Sequence, residues 1–316
     1  VYAELLEAIQ GVEPGNLQVV LGDGGIATVR TSSVRHYFGV ARRRFEGFAG
    51  APWPTAAEPC RHCTYCRWAE SCETHWEEID HLSLVANIAR SQIDKLTAAG
   101  IDSLTKLAIA PKARKIPNLT PETFARLRSQ AALQKAKATT GKNHYELLPL
   151  ETSRGFNRLP RPDTGDVYFD MEGDPLYPEG LEYLFGLVHV DDGEERFTPF
   201  WAHDRAAEKA AFQGVMDFIS ERLARHPEAH IYHHAAYEES ALKRLAMLHA
   251  PRQNQVDDLL RRGKLVDLYK VVREGLRVSE PRYSIKNLEA FYMPDARSGA
   301  VTTAGDSIVV YENWRR

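Results

Sequence analysis

The chain is 316 residues long, 43% hydrophobic and 26% charged, with a formal net charge of −3. That length supports two or three domains with real cores, and a balance so near neutral names no partner by itself. No apolar run approaches bilayer length and no signal peptide opens the chain, so no membrane partner is expected.

Residues 1–11 have the spacing of an amphipathic helix closed by Gly11. Residues 17–21 and 26–30 flank Gly22-Asp23-Gly24-Gly25, a hairpin signal. Helix is expected over 36–48, carrying Arg42, Arg43 and Arg44. The opening helix has no capping residue, which reads as the tail of a longer domain; the whole sequence is expected to be an internal portion of a longer protein.

All four cysteines fall within thirteen residues, as Cys60-Arg61-His62-Cys63-Thr64-Tyr65-Cys66 and then Cys72. Such spacing converges thiolates on one soft metal or one iron–sulfur cluster, and reduced thiols make the cytoplasm the expected compartment. Cys63-x2-Cys66-x5-Cys72 resembles the C-terminal cysteine triplet of RecB-type nucleases, including CRISPR-associated and AddB-like members. That resemblance implies an iron–sulfur cluster completed by a cysteine far upstream. Here Cys60 is the spare ligand, so zinc held by all four cysteines, or by three with His62 or His75, is the alternative. The helix and hairpin before the cysteines also resemble the closing part of a RecB-type core.

Residues 82–141 are expected to be helical, broken at Gly100 and between Pro111 and Pro121. From Leu84 to Lys142 there are eleven Lys/Arg against three acids, a net of +8. A basic segment inside a slightly acidic chain points to a polyanion. Over 93–107 apolar residues recur at helical spacing about Gly100, and Asp102 or Ser103 can cap the second helix. The pattern is similar to a helix-hairpin-helix unit, whose amides grip one phosphate, and it makes Lys95, Gly100 and Lys106 candidate nucleic-acid contacts. An ordinary helical hairpin has the same pattern. Residues 139–166, rich in Pro, Gly and Arg, read as a linker. The expected domains are therefore 1–80, 81–145 and 166–316, with a linker over 146–165.

Val167-Tyr168-Phe169-Asp170-Met171-Glu172 starts a buried strand ended by Gly173-Asp174-Pro175. Alternation puts Asp170 and Glu172 on one face, where two carboxylates repel and a hard cation such as Mg²⁺ or Mn²⁺ relieves them. A pair of solvated acids at a strand end has the same spacing. Strands over 182–190 and 196–202, a helix from Asp204 to Ala224, a strand over 229–233 and a helix over 237–248 follow. Three antiparallel strands, a helix, a strand and a helix are the order of an α/β, ribonuclease H-like mixed sheet with flanking helices. Glu182 and Trp201 are expected on strand surface and core, Asp267 on a helix facing the sheet, and Lys286 on a solvated helix.

Asp170-x-Glu172 resembles the first motif of DEDD-type 3′–5′ exonucleases. Tyr232-His233-His234-Ala235-Ala236-Tyr237-Glu238 is similar to the second, with His233 at its Asn position and Glu238 at its metal-binding Asp position. Residues 265–269 and 283–289 match the segment that follows. Together they resemble a YprB-type ribonuclease H-like domain, and the whole chain resembles bacterial RecB-like nucleases that end in one. The resemblance implies two Mg²⁺ or Mn²⁺ ions held by Asp170, Glu172 and Glu238, with His233 near them. The third acidic motif has no match: Asp306 sits in a different context, and Trp314-Arg315-Arg316 falls where its helix is expected to begin. The expected function is a metal-dependent nuclease on nucleic acid, with DNA favoured over RNA. The alternative is a non-catalytic nucleic-acid-binding module with a structural metal. A poor nuclease binding one ion weakly is expected without the third motif.

Overall fold

The computed structural model describes the chain except for Asp23, Trp53, Pro54, residues 294–303 and Arg316, and the side chains of Thr64, Tyr65 and Ala304. Its contacts divide it into two compact units, Val1–Cys66 and Arg67–Arg316. The first holds α1 (Tyr2–Gln10), the hairpin β1 (Asn16–Val20) and β2 (Ile26–Arg30), and α2 (Thr31–Gly50). Gly11 closes α1 in the left-handed conformation at φ 73°, as its position requires. Asp23 of the expected turn lies outside the described residues. Among the described residues of this unit only Ala3 and Thr31 are buried, while Arg35 pairs with Glu13 and Glu7, and Arg42 with Glu4 and Glu46. A unit held by exposed ion pairs has little core of its own.

The second unit opens with α3 (Ala69–Glu78), α4 (Arg90–Ala98), α5 (Leu104–Ile109) and α6 (Pro121–Thr140). The break falls at Gly100, φ 77°, as expected. Leu82, Leu96, Ile101, Leu107, Phe124 and Leu127 form a core of their own. The stretch that reads as a linker contains β3 (Tyr145–Leu147), which pairs antiparallel with β9 (Leu276–Val278). Gln130 on α6 is buried there, donating to the Val278 carbonyl at 2.8 Å and accepting from the Tyr283 hydroxyl at 2.8 Å. The helical region is thus tied to the end of the sheet domain by a satisfied buried polar network.

The sheet is β4 (Val167–Asp174), β5 (Leu181–Asp191), β6 (Glu194–Trp201), β7 (Ile231–His233) and β8 (Leu265–Asp267), in the order β6-β5-β4-β7-β8. β4, β5 and β6 are antiparallel neighbours, and β7 and β8 run parallel to β4. Helices α7 (Arg205–Arg225), α8 (Tyr237–His249) and α9 (Gln253–Arg261) supply Phe212, Val215, Ile219, Leu242, Leu245 and Val256, which pack with Phe169, Leu187 and Ile231. Asp204 caps α7, its Oδ1 accepting from the Ala207 amide at 2.8 Å. This is the ribonuclease H-like arrangement that the element order implies. Beyond it come α10 (Leu268–Gly275), β9, α11 (Ile285–Leu288) and α12 (Ala304–Arg315).

Candidate functional site

Parallel neighbours end on the same edge, so the C-terminal end of β4 and the turn from β7 into α8 share one edge of the sheet. β4 alternates as expected: Val167, Phe169 and Met171 are buried, Asp170 is exposed and Glu172 half-buried. The pairing with β5 slips between Glu172 and Gly173. Asp170, Glu172 and Glu238 all line one cleft of about 740 Å³ at this edge, together with Tyr237 and Arg244.

Their environments differ. Burial, and then the neighbouring charge of Asp170, pushes the Glu172 carboxyl above its ordinary range. Glu238 is only 3% exposed, and its Oε2 lies 3.4 Å from His233 Nδ1. Neither that oxygen nor either His233 ring nitrogen makes a hydrogen bond. Unpartnered buried polar atoms are costly, and here they face one another across a gap. The set suits a hard divalent cation, being carboxylates with one imidazole beside them. Yet among the described residues no three His, Cys, Asp or Glu side chains stand together so as to hold an ion. Glu238 is turned toward His233 instead.

Glu182 is a residue that sequence reading assigned to an ordinary strand surface. It is 2% exposed and accepts from the Tyr237 hydroxyl at 3.0 and 2.9 Å and from Arg244. Its amide donates to Glu208 Oε1 at 2.7 Å, and Glu208 in turn meets Arg205 at 2.6 Å and His249 at 2.8 Å. Burial raises the Glu182 carboxyl and the Tyr237 hydroxyl alike. A Cβ on Gly173 would sit 2.6 Å from the Tyr237 hydroxyl and 2.7 Å from Glu182 Oε2, so a larger residue at this bulge would displace one of them. The network fixes the first turn of α8, where Glu238 sits. Trp201 is 51% exposed rather than in the core. Asp267 ends β8 and caps α10, its Oδ1 accepting from Tyr269 at 2.9 Å and from Ala235 at 3.0 Å.

One further expectation is corrected. A helix already occupies 304–315, and it packs at this edge rather than beginning after Trp314. Tyr311 stacks on Tyr183 with ring centroids 3.9 Å apart, Ser307 bonds the Tyr183 hydroxyl at 2.6 Å, and Ile308 lines the carboxylate cleft. At the Gly100 hairpin the amides are already used. Those of Ala99, Gly100 and Ile101 donate to the preceding turn; those of Leu104 and Thr105 donate to Asp80, and that of Lys106 to Ser103. Lys106 pairs with Asp102 at 2.7 Å, and that hydrogen bond lowers the Asp102 carboxyl. A phosphate would have to displace Asp80.

Cys60 Sγ lies 3.9 Å from Cys63 Sγ, close to the roughly 3.8 Å edge of a tetrahedral zinc thiolate site. No disulfide joins Cys60, Cys63, Cys66 and Cys72, and nothing among the described residues supports an iron–sulfur cluster.

The mixed sheet with an acidic cleft at the end of its central strand defines a ribonuclease H-like domain. A family model described as the RNase H superfamily matches residues 167–316, so this part of the chain is similar to that superfamily. No curated protein and no solved structure matches the chain. Among the described residues no helix is long and apolar enough to cross a membrane.

Proposed function

We propose that the sheet domain is a metal-dependent nuclease that hydrolyses phosphodiesters of nucleic acid, acting as a 3′–5′ exonuclease. The observation that carries this reading is the meeting of Asp170, Glu172 and Glu238 on one cleft of an RNase H-type sheet. The finer likeness to YprB-type domains rests on the same residues with His233. A bound Mg²⁺ or Mn²⁺ would supply the charge that activates water and stabilises the leaving oxygen. Asp170 and Glu172 would hold it, its charge offsetting the burial and the Asp170 repulsion that raise the Glu172 carboxyl. Glu238 would complete the set on swinging away from His233, beside which its Oε2 lies without a hydrogen bond. The test is Mn²⁺-dependent release of mononucleotides from single-stranded DNA and RNA, expected from the wild type and lost in Asp170→Ala. Equal release by that variant, or release indifferent to chelator, sinks the reading.

One observation favours a second reading. Since no three ligand-type side chains close on an ion among the described residues, the domain would instead be a non-catalytic module that binds nucleic acid. Binding without Mn²⁺-dependent cleavage would select it.

A further inference from the structure

On the other side of the β7–α8 turn lies a second cleft, of about 750 Å³. Ala235 and Ala236 line it, while the next two residues, Tyr237 and Glu238, line the carboxylate cleft. The two clefts therefore share the wall formed by one turn. Their charges are opposite. Arg126, Arg154, Arg158, Lys270, Arg273 and Arg277 line the second cleft, against only Asp267 and Glu274.

The acids there are already spent. Glu274 takes Arg158 through both oxygens, at 2.6 and 3.1 Å, and its carboxyl is held down at about 2 by that pair. Asp267 caps α10 and meets Lys270 at 3.6 Å. Outside the lining, Glu146 takes Arg277 at 2.5 Å and Glu151 takes Arg154 at 2.9 Å. Arg126 and Arg273 are left: among the described residues neither has an acidic partner. Arg126 is half-buried on α6, and its guanidinium is destabilised by burial and by the charges of Arg273 and Arg277. A chain gains nothing by crowding unpaired arginines at a cleft unless an anion joins them. The aromatic element is also present. Tyr269 forms part of the wall, with Arg273 6.0 Å from its ring centroid and the His234 ring edge-on at 5.6 Å. Tyr269 is half-buried, and arginine beside an aromatic ring in a cleft wall is the combination that holds nucleotides of a single strand by phosphate and base.

We infer that this basic cleft binds the phosphodiester backbone of a single-stranded nucleic acid, the same strand whose end lies in the carboxylate cleft across the 235–238 turn. The inference rests on the nuclease reading for that continuity, but the cleft's own charge and shape stand apart from it. The size suits a site for one or two nucleotide units, since pockets of about 300–1,000 Å³ take ligands of that class. It also moves the phosphate contacts away from the Gly100 hairpin, whose amides are engaged. Nothing in this arrangement reads base sequence, so little sequence preference is expected.

The test measures binding by fluorescence anisotropy of labelled twelve-nucleotide DNA and RNA strands in chelator, where no cleavage intrudes. Arg126→Gln with Arg273→Gln should weaken binding at least tenfold. It should also flatten the dependence of log affinity on log salt by about 1.4, the slope of two single-strand phosphate contacts. Lys209→Gln, which neutralises one exposed cation on α7 outside the cleft lining, is the control; thermal melting checks that the double variant folds. Affinity and slope within twofold of wild type, or a loss equalled by Lys209→Gln, overturn the proposal. So does a mononucleotide that competes as well as the strand at equal phosphate, because the cleft would then hold a small anion. Cleavage by Asp170→Ala is scored separately: if it persists, the nuclease reading falls and the binding result is untouched.

Discussion

Two clefts flank one turn, and they are built in opposite ways. In the acidic cleft the sequence concentrates its charges: Asp170 and Glu172 leave one face of one strand, and Glu238 lies in the first turn of the helix after its neighbour. In the basic cleft the charges come from α6, the 154–158 turn, α10 and β9, brought together by a two-stranded sheet of three residues a side. The first is a product of local geometry and the second of long-range packing. A site of the first kind tolerates little change at its own residues. A site of the second kind depends on what holds its walls together, here Gln130, Tyr283 and the β3–β9 pair.

The largest expected effect breaks the acidic side alone. Asp170→Ala should lower Mn²⁺-dependent cleavage on the order of 10³-fold, as loss of a group made only for the reacting charge does. Affinity for a single strand in chelator should not fall, because a repelling carboxylate has been removed. A parallel loss of both would show that the two clefts are one folding unit rather than two sites.

Next comes the wall between the clefts and the network behind it. Gly173→Ala forces the Tyr237 hydroxyl or Glu182 to move, and Glu182 is already pinned by Tyr237 and Arg244. Overpacking of this kind costs about 1–3 kcal/mol. Chemical denaturation should report that loss, and cleavage should fall with it as the first turn of α8 shifts. Unchanged stability would mean that Glu182 yields freely and does not position the turn.

The same contrast explains what could be read from the chain. The strand order, the helices α7 and α8 and the Asp170/Glu172 face were legible because alternation and helical spacing leave a period in the sequence. Glu182 was not. On its strand it is an acid among apolar residues, and only the fold supplies Tyr237, Arg244 and the bulge at Gly173. The basic cleft was invisible for a different reason. Its six cations are scattered between positions 126 and 277, while the local count of Lys and Arg pointed to residues 84–142, where Lys106 turns out to be paired. β3 and β9 are three residues each, too short to show a period, and β3 lies in a stretch whose Pro, Gly and Arg read as a linker. α12 likewise carries a β-branched run, Ile308-Val309-Val310, and its helix is anchored by Tyr311 on Tyr183.

A smaller effect sharpens the acidic side through pH. The Glu172 carboxyl is raised in the folded chain, first by burial and then by Asp170. The folded state therefore holds that proton more tightly than the unfolded state. Without metal, stability falls as pH rises from the unfolded carboxylate range near about 4.3 through the raised folded value, and is level above it. Glu172→Gln removes the dependence, so its melting temperature should gain on the wild type across that window. About 2–4 °C follows for each kcal/mol in a unit of this size. Taking the difference cancels contributions shared by both proteins, including the raised Glu182 and the lowered His189, His230 and His234. A flat difference profile would mean that neither burial nor Asp170 raises the Glu172 carboxyl.

The smallest effect separates the basic cleft from the hairpin that the sequence first suggests. Lys95→Glu with Lys106→Glu reverses two charges in the helical region, a larger formal change than neutralising Arg126 and Arg273. By net charge alone it should be the more damaging pair. Lys106, however, is exposed and paired with Asp102, and the hairpin amides are bonded within the chain or capped by Asp80. Exposed pairs contribute little, and the hairpin amides that would grip a phosphate are already bonded. Strand affinity at physiological salt should therefore change by about twofold or less, which is the long-range cost of lost positive charge screened over about 8 Å. The salt slope should stay near the wild type, because no counterion-releasing contact has gone. If instead the lysine pair weakens binding tenfold and flattens the slope while the arginine pair does not, the hairpin grips the phosphate after Asp80 gives way, and the cleft beside α10 is only a charged seam in the fold.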